Sequence, residues 1–210
     1  MNPSMSLKAV LFFCVAGFGS ALAADVQPGS TAGAKDTTPQ ILGRQNGRAV
    51  EAARDAQEMA RQIAARARDA AKRADALAAS VRKAGACAPA SGRSGLVSIC
   101  ASDGARYYGE MKEGRYDGLG VYVSADGYMI KGEWRQGEQQ GLGVTISEAG
   151  YVTEGEMRAG KATGYGIGIG TFGRYEGEWR DGAWNGLGVE TTEDATLEGT
   201  WRNGNLVSGG

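Results

Sequence analysis

From residue 106 onward, apolar and polar positions alternate in short runs. Tyr107, Gly109 and Met111 share one parity, and Tyr108, Glu110 and Lys112 share the other. After Glu113-Gly114 a second run begins, in which Leu119, Val121 and Val123 alternate with Gly118 and Gly120. Period-2 runs separated by Gly-bearing turns predict β-hairpins. Upstream, from Arg48 to Ala84, the pattern changes to Ala, Arg and acidic residues without Pro or Gly, which predicts one long helix.

The hairpin pattern recurs. Gly109, Gly132, Gly155, Gly177 and Gly199 are spaced 23, 23, 22 and 22 residues apart. Three further glycine series, beginning at Gly114, Gly118 and Gly120, keep the same intervals, so the segment 95–210 is a repeat array. Across repeats the Tyr107/Met111 parity becomes Ile130/Trp134, Thr153/Met157, Tyr175/Trp179 and Leu197/Trp201. The opposite parity carries Glu110, Glu133, Glu156 and Glu178, each followed two residues later by Lys112, Arg135, Arg158 or Arg180. The simplest pairing sets the aliphatics Leu119, Val121 and Val123 beside the Tyr/Trp rungs. The expectation is an elongated antiparallel meander with one apolar face and one charged, self-neutralising face. A glycine in the first strand leaves room for a ring to lie across the backbone.

In the helix a heptad can be written with Ala53, Ala60, Ala67, Ala74 and Val81 at a, and Ala56, Ile63, Ala70, Leu77 and Ala84 at d. Ala also fills other faces, including Ala52, Ala64, Ala65, Ala71, Ala78 and Ala79. The helix therefore either pairs as a coiled coil or lies on the domain that follows. Arg82 and Lys83 occupy its last turn, with Gly85 as a C-cap at its end and Pro89 beyond.

The N-terminus changes the picture of where this domain works. Lys8, the apolar run Ala9–Phe18 and Ala21-Leu22-Ala23 form the pattern of a cleaved secretory signal, residues 1–23. Export places the mature chain in the periplasm or outside the cell. Residues 24–47, poor in large apolar side chains, are expected to be a disordered spacer before the helix of 48–85. Cys14 leaves with the signal. Cys87 and Cys100 then remain as a pair in an oxidising compartment, which favours a disulfide in the junction 86–94 leading to the sheet.

Candidate chemistry is sparse. The chain has no His, which removes the commonest general base and zinc ligand. The Glu series stands beside its own Lys and Arg residues and reads as a solvated face, so an exposed Glu178–Arg180 pair is worth less than about 1 kcal/mol. Gly166-Ile167-Gly168-Ile169-Gly170 has no phosphate-loop Lys. No catalytic residue, metal site or cofactor is predicted. From residue 105 to 210 ten basic residues face sixteen acidic ones, a net −6 that repels nucleic acid and acidic lipid. The helix is opposite in sign, nine basic against five acidic from Arg48 to Ala84.

The segment Tyr175-Glu176-Gly177-Glu178-Trp179-Arg180-Asp181-Gly182, followed by Gly186-Leu187-Gly188, resembles a MORN repeat. Departures are Ile130 and Thr153 for the leading Tyr, and Met111 and Met157 for Trp. The resemblance covers roughly residues 95–210 and implies an elongated β-meander that scaffolds, dimerises or recruits partners. Its reputation for acidic lipid is at odds with the −6 charge. The expectation is a non-catalytic exported scaffold with a protein partner or self-association. The alternative is a cell-envelope module that holds glycan or lipid on its rungs. The candidate rungs, core or binding, are Tyr107, Met111, Trp134, Met157, Tyr175, Trp179 and Trp201.

Overall fold

The computed structural model describes residues 38–83, Cys87 and 92–209, with helix side chains from Gly47 onward. The proposed signal, most of the spacer and the caps at Gly85 and Pro89 lie outside the described residues. One helix, α1 (Thr38–Lys83), precedes eleven strands. These are β1 (Gly95–Cys100), β2 (Arg106–Lys112), β3 (Arg115–Val123), β4 (Met129–Arg135), β5 (Glu138–Ile146), β6 (Val152–Arg158), β7 (Lys161–Ile169), β8 (Gly173–Arg180), β9 (Ala183–Thr192), β10 (Thr196–Arg202) and β11 (Asn205–Gly209). They form one antiparallel meander in sequence order. Cys87 is joined to Cys100 at the end of β1, with Cα atoms 5.4 Å apart.

α1 starts ten residues before the predicted Arg48. Pro39 stands in its first turn, where a missing N–H breaks no intrahelical bond.

Five glycine-bearing turns set the geometry of the hairpins. Glu113, Gln136, Ala159, Asp181 and Asn203 all have φ near +50°, and each is followed by a glycine with positive φ. Both central residues of these two-residue turns are left-handed, the type I′ form whose twist suits a hairpin. Such a turn also fixes parity. Lys112 faces Arg115 and Met111 faces Tyr116; beyond a register shift of two residues at Glu110, which keeps the parity, Tyr107 faces Tyr122 and Tyr108 faces Val121.

That parity overturns the expected pairing of faces. Leu119, Val121 and Val123 do not stand beside the Tyr/Trp rungs; they project from the opposite side of the sheet. The face expected to be charged and solvated is therefore a second apolar face, and α1 covers it. Ala74 and Ala78 pack on Tyr108 and Val121, flanked by Leu119 and Val123, while Ala60 and Ala64 pack on Ile167 between Tyr165 and Ile169.

The heptad has a use other than a coiled coil. Arg54 pairs with Glu198 at 2.9 Å, Arg61 with Glu176 at 2.8 Å, Arg68 with Glu154, and Asp75 with Lys131 at 2.9 Å. Arg82 lies 4.3 Å above the Tyr108 ring. These five helix residues are seven apart, and their five partners occupy one equivalent position in five successive repeats. From Arg54 to Arg82 the helix rises about 42 Å. Eight strand spacings from β10 to β2 come to about 38 Å. One heptad of α1 thus matches one repeat of the sheet, with the helix running against the order of the repeats.

Burial follows the straight-helix period rather than a supercoil. Ala60, Ala64, Ala67, Ala71, Ala74 and Ala78 are all nearly or fully buried, whereas Leu77 at a d position is only half-buried. A seam that drifts from a/d to a/e is the mark of an unsupercoiled helix lying on a surface.

Glu176 is the most enclosed of the charged helix–sheet contacts. Burial pushes its carboxyl up, but hydrogen bonds from Arg61, Arg174 and Gln57 outweigh that and hold it below the usual range. A carboxyl depressed in the folded state contributes stability that is present above its unfolded value, about 4.3, and lost as pH falls through its folded value. Acidification below about pH 4 is therefore expected to loosen α1 around Gln57–Arg61 before the sheet opens. Amide exchange read residue by residue would show this; simultaneous loss of helix and sheet protection would contradict it.

Candidate functional site

The other face of the sheet is built on a line of glycine. Gly109, Gly120, Gly132, Gly143, Gly155, Gly166, Gly177, Gly188, Gly199 and Gly209 pair successively from β2 to β11. A side chain at Gly120 or Gly188 would occupy the ring of Tyr107 or Tyr175, which lies flat across the strand. The hydroxyl of Tyr107 donates to the Glu110 carbonyl at 2.8 Å, and that of Tyr175 to the Glu178 carbonyl at 3.0 Å. Burial pushes both phenols well above their ordinary range.

Over these inner rings sits a second layer. Tyr116 stacks on Tyr107 with centroids 3.7 Å apart, and Trp184 on Tyr175 at 4.5 Å. Trp134 meets Tyr107 edge-on, and Trp179 and Trp201 meet Tyr175 likewise, arrangements that favour aromatic pairs. The indole N–H groups of Trp134 and Trp201 donate to the carbonyls of Gly120 and Gly188, each at 3.1 Å. Two clusters result: one around Tyr107, Met111 and Trp134, the other around Met157, Tyr175, Trp179 and Trp201. All seven candidate rungs lie in the core. What this side offers to a partner is the outer layer, half-buried Tyr116 and Trp184.

The repeated Glu has a different task from the one expected. Three residues of β3, Asp117–Leu119, bulge opposite the single residue Glu110 of β2. The Glu110 carboxylate accepts the Leu119 N–H at 2.6 Å. Glu133, Glu156 and Glu178 do the same for Leu142, Tyr165 and Leu187, at 2.8, 3.0 and 2.7 Å. The carboxylate rests against Gly118, Gly141, Gly164 or Gly186, each with positive φ, where any side chain would displace it. The Glu series thus closes the bulges and does not neutralise the neighbouring Lys and Arg. Sequence reasoning missed this role because it depends on the bulge. The constant interval of nine residues, from each Glu to Leu119, Leu142, Tyr165 or Leu187, was its signal in the sequence.

Between the two clusters the pattern weakens. Gln139 and Ala162 stand where Tyr116 and Trp184 stand in the outer repeats. Gln139 is 1% exposed, and neither its amide oxygen nor its nitrogen has a partner among the described residues; nor has the Trp179 indole nitrogen. An unsatisfied buried amide costs about 1–3 kcal/mol. Gln139→Met, which keeps the length and removes both polar atoms, is expected to stabilise the protein by about 1 kcal/mol in a denaturant melt. A loss of stability would show that the amide is satisfied in solution.

A family model described as the MORN repeat matches residues 107–127, 131–150, 154–167 and 175–195. No curated protein shows a significant match to the chain. The shortest match falls on the repeat in which Thr153, Met157 and Ala162 replace all three ring positions. The glycine line and the glutamate-closed bulges recur with the matched segments, and residues 107–195, in the C-terminal half of this chain, carry MORN repeats.

Proposed function

We propose that the protein is a non-catalytic, exported interaction scaffold whose partner protein docks on the ring-bearing side of the sheet. The observation that carries this reading is the coverage of the opposite side. α1 lies across it from β10 to β2, so the module completes its own two-layer core and needs no partner to hide the aliphatic stripe. Among the described residues the outer layer on the ring side has no such cover. Tyr116 and Trp184 present amphipathic area at little cost in side-chain entropy, a property of protein-binding surfaces. MORN repeats as a class suggest protein or membrane interaction.

The test is capture of partners from the native envelope with wild type and with Tyr116→Ser and Trp184→Ser. The reading expects the variants to lose the captured protein while melting as two-layer domains. Unchanged capture would move the docking surface elsewhere. The same rings could stack on a sugar, and a change in tryptophan fluorescence on adding envelope glycans, absent in Trp184→Ser, would favour the glycan-binding alternative.

Export is supported by Lys8, the Ala9–Phe18 run and Ala21-Leu22-Ala23, and by the bond between Cys87 and Cys100. The mature protein is expected to begin at Ala24. Intact mass decides this, and a chain retaining Met1 in the envelope fraction would count against export with cleavage.

A further inference from the structure

The two long edges of the ribbon carry opposite charge. Along the hairpin-turn edge, at the strand ends and turns, stand Lys112, Arg115, Arg135, Arg158, Lys161, Arg180 and Arg202, against Glu113, Asp117, Glu138 and Asp181 of opposite sign. All seven basic side chains are exposed, and none forms an ion pair among the described residues. The reason is local: the Glu two residues before each of Lys112, Arg135, Arg158 and Arg180 has turned inward to a backbone N–H.

The loop edge is the inverse. Its loops expose Asp103, Asp126, Glu148, Glu193 and Asp194 and hold no Lys or Arg, and among the strand ends beside them Arg106, the first residue of β2, is an exposed cation. Asp126 and Glu148, on neighbouring loops, touch each other. That contact raises the Glu148 carboxyl, while the Ser124 hydroxyl and then Glu148 lower that of Asp126. Two acids pressed together without a cation are a place where an arriving cation is favoured.

We infer that the basic turn edge of one copy docks along the acidic loop edge of a second copy. Sign is one argument and pitch is the other. Turns and loops each recur once per repeat, so basic residues at every turn and acids at every loop but that between β7 and β8 are set in steps of two strand spacings, about 9.6 Å. A second copy supplies acids at the same interval by construction. Because the two edges lie on opposite sides of the ribbon, the contact is head-to-tail and extends into an open row of copies. The inference is independent of what binds the ring-bearing side.

Sedimentation velocity of the mature protein tests it. At about 0.01 M salt, where the Debye length is about 30 Å, mass is expected to rise with concentration past that of a dimer, and at about 1 M to return to the monomer. Arg135→Glu/Arg158→Glu/Arg180→Glu and, separately, Asp126→Lys/Glu148→Lys are each expected to stay monomeric at low salt, and an equal mixture of the two to associate. Arg66→Glu/Lys72→Glu/Lys83→Glu makes the same net charge change as the first variant on the exposed side of α1, and is expected to associate like wild type. A wild type that stays monomeric at low salt overturns the inference. So does an α1 variant that dissociates as fully as the turn variant. A monomeric wild type retained through its turn edge on anionic vesicles or a sulfated resin would assign that edge to a polyanion instead.

Discussion

Trp179→Ala is expected to cost about 3–5 kcal/mol, the largest loss from any single rung. Its ring is 4% exposed, meets Tyr175 and Trp184 edge-on, and covers Gly168. Removing it opens a hole between the inner and outer layers that neither Met157 nor Ala162 is long enough to fill. Denaturant melts measure the loss, with Glu178→Ala beside it as a contrast. That carboxylate would be nearly silent if it only paired with Arg180 at the surface. Since it closes the β9 bulge at Leu187, its removal is expected to cost about 1.5 kcal/mol, the low end for a charged hydrogen bond because water can reach the half-exposed site. Glu178→Gln, which keeps an acceptor, should recover most of it. Should Trp179→Ala melt like wild type, the ring is a surface platform and the assignment of layers is wrong.

Much of this architecture was legible because the repeat is strict. Four glycine series at one interval announce hairpins, and Tyr107, Trp134, Tyr175 and Trp179 announce a ring layer. The assignment of faces was not carried through. A two-residue turn at Glu113-Gly114 sets every even-numbered position of β3 beside the odd-numbered positions of β2, so Val121 must share a side with Tyr108. Reading apolar residues as one face discarded that constraint. A sheet apolar on both sides needs two covers, and the rings of one side are large enough to cover themselves. On the other side the aliphatics are short, and only a helix of small residues can approach closely. That is why the α1 seam is alanine. The coiled-coil alternative arose because a match between seven helical residues and one hairpin looks, in sequence, the same as a match between two helices. Ala64, Ala71 and Ala78 separate the two, since a supercoil would leave those positions at its margin. The weak centre at Gln139 was also visible, as a polar residue at a ring position, once the repeats are aligned from their turns.

The match between heptad and repeat makes a prediction that no ordinary helix–sheet contact would make. Two residues inserted between Ala65 and Arg66 turn everything before them by about 200° about the helix axis. Ala53, Ala56, Ala60, Ile63 and Ala64 then face solvent, Ile167 loses its cover, and Glu176 is left buried without Arg61 or Gln57. Glu176 keeps Arg174, but each lost hydrogen bond to a charged group costs about 1.5–3 kcal/mol and uncovering Ile167 adds to that, so the two-residue variant is expected to lose at least about 3 kcal/mol. Duplicating Met59–Ala65 inserts seven residues and turns the same segment by only about 20° from its starting face. The copied Arg then meets Glu176 and the original Arg61 advances one repeat to Glu198, while the Gln57 hydrogen bond to Glu176 and the exposed pair of Arg54 are lost. Glu176 keeps both of its arginines and the exposed pair is worth less than about 1 kcal/mol, so the longer insertion is expected to be the milder one. Denaturant melts and helical ellipticity rank the two variants. Equal losses would mean that α1 is held by general apolar contact, and that its charges at every seventh residue do not set its position on the sheet.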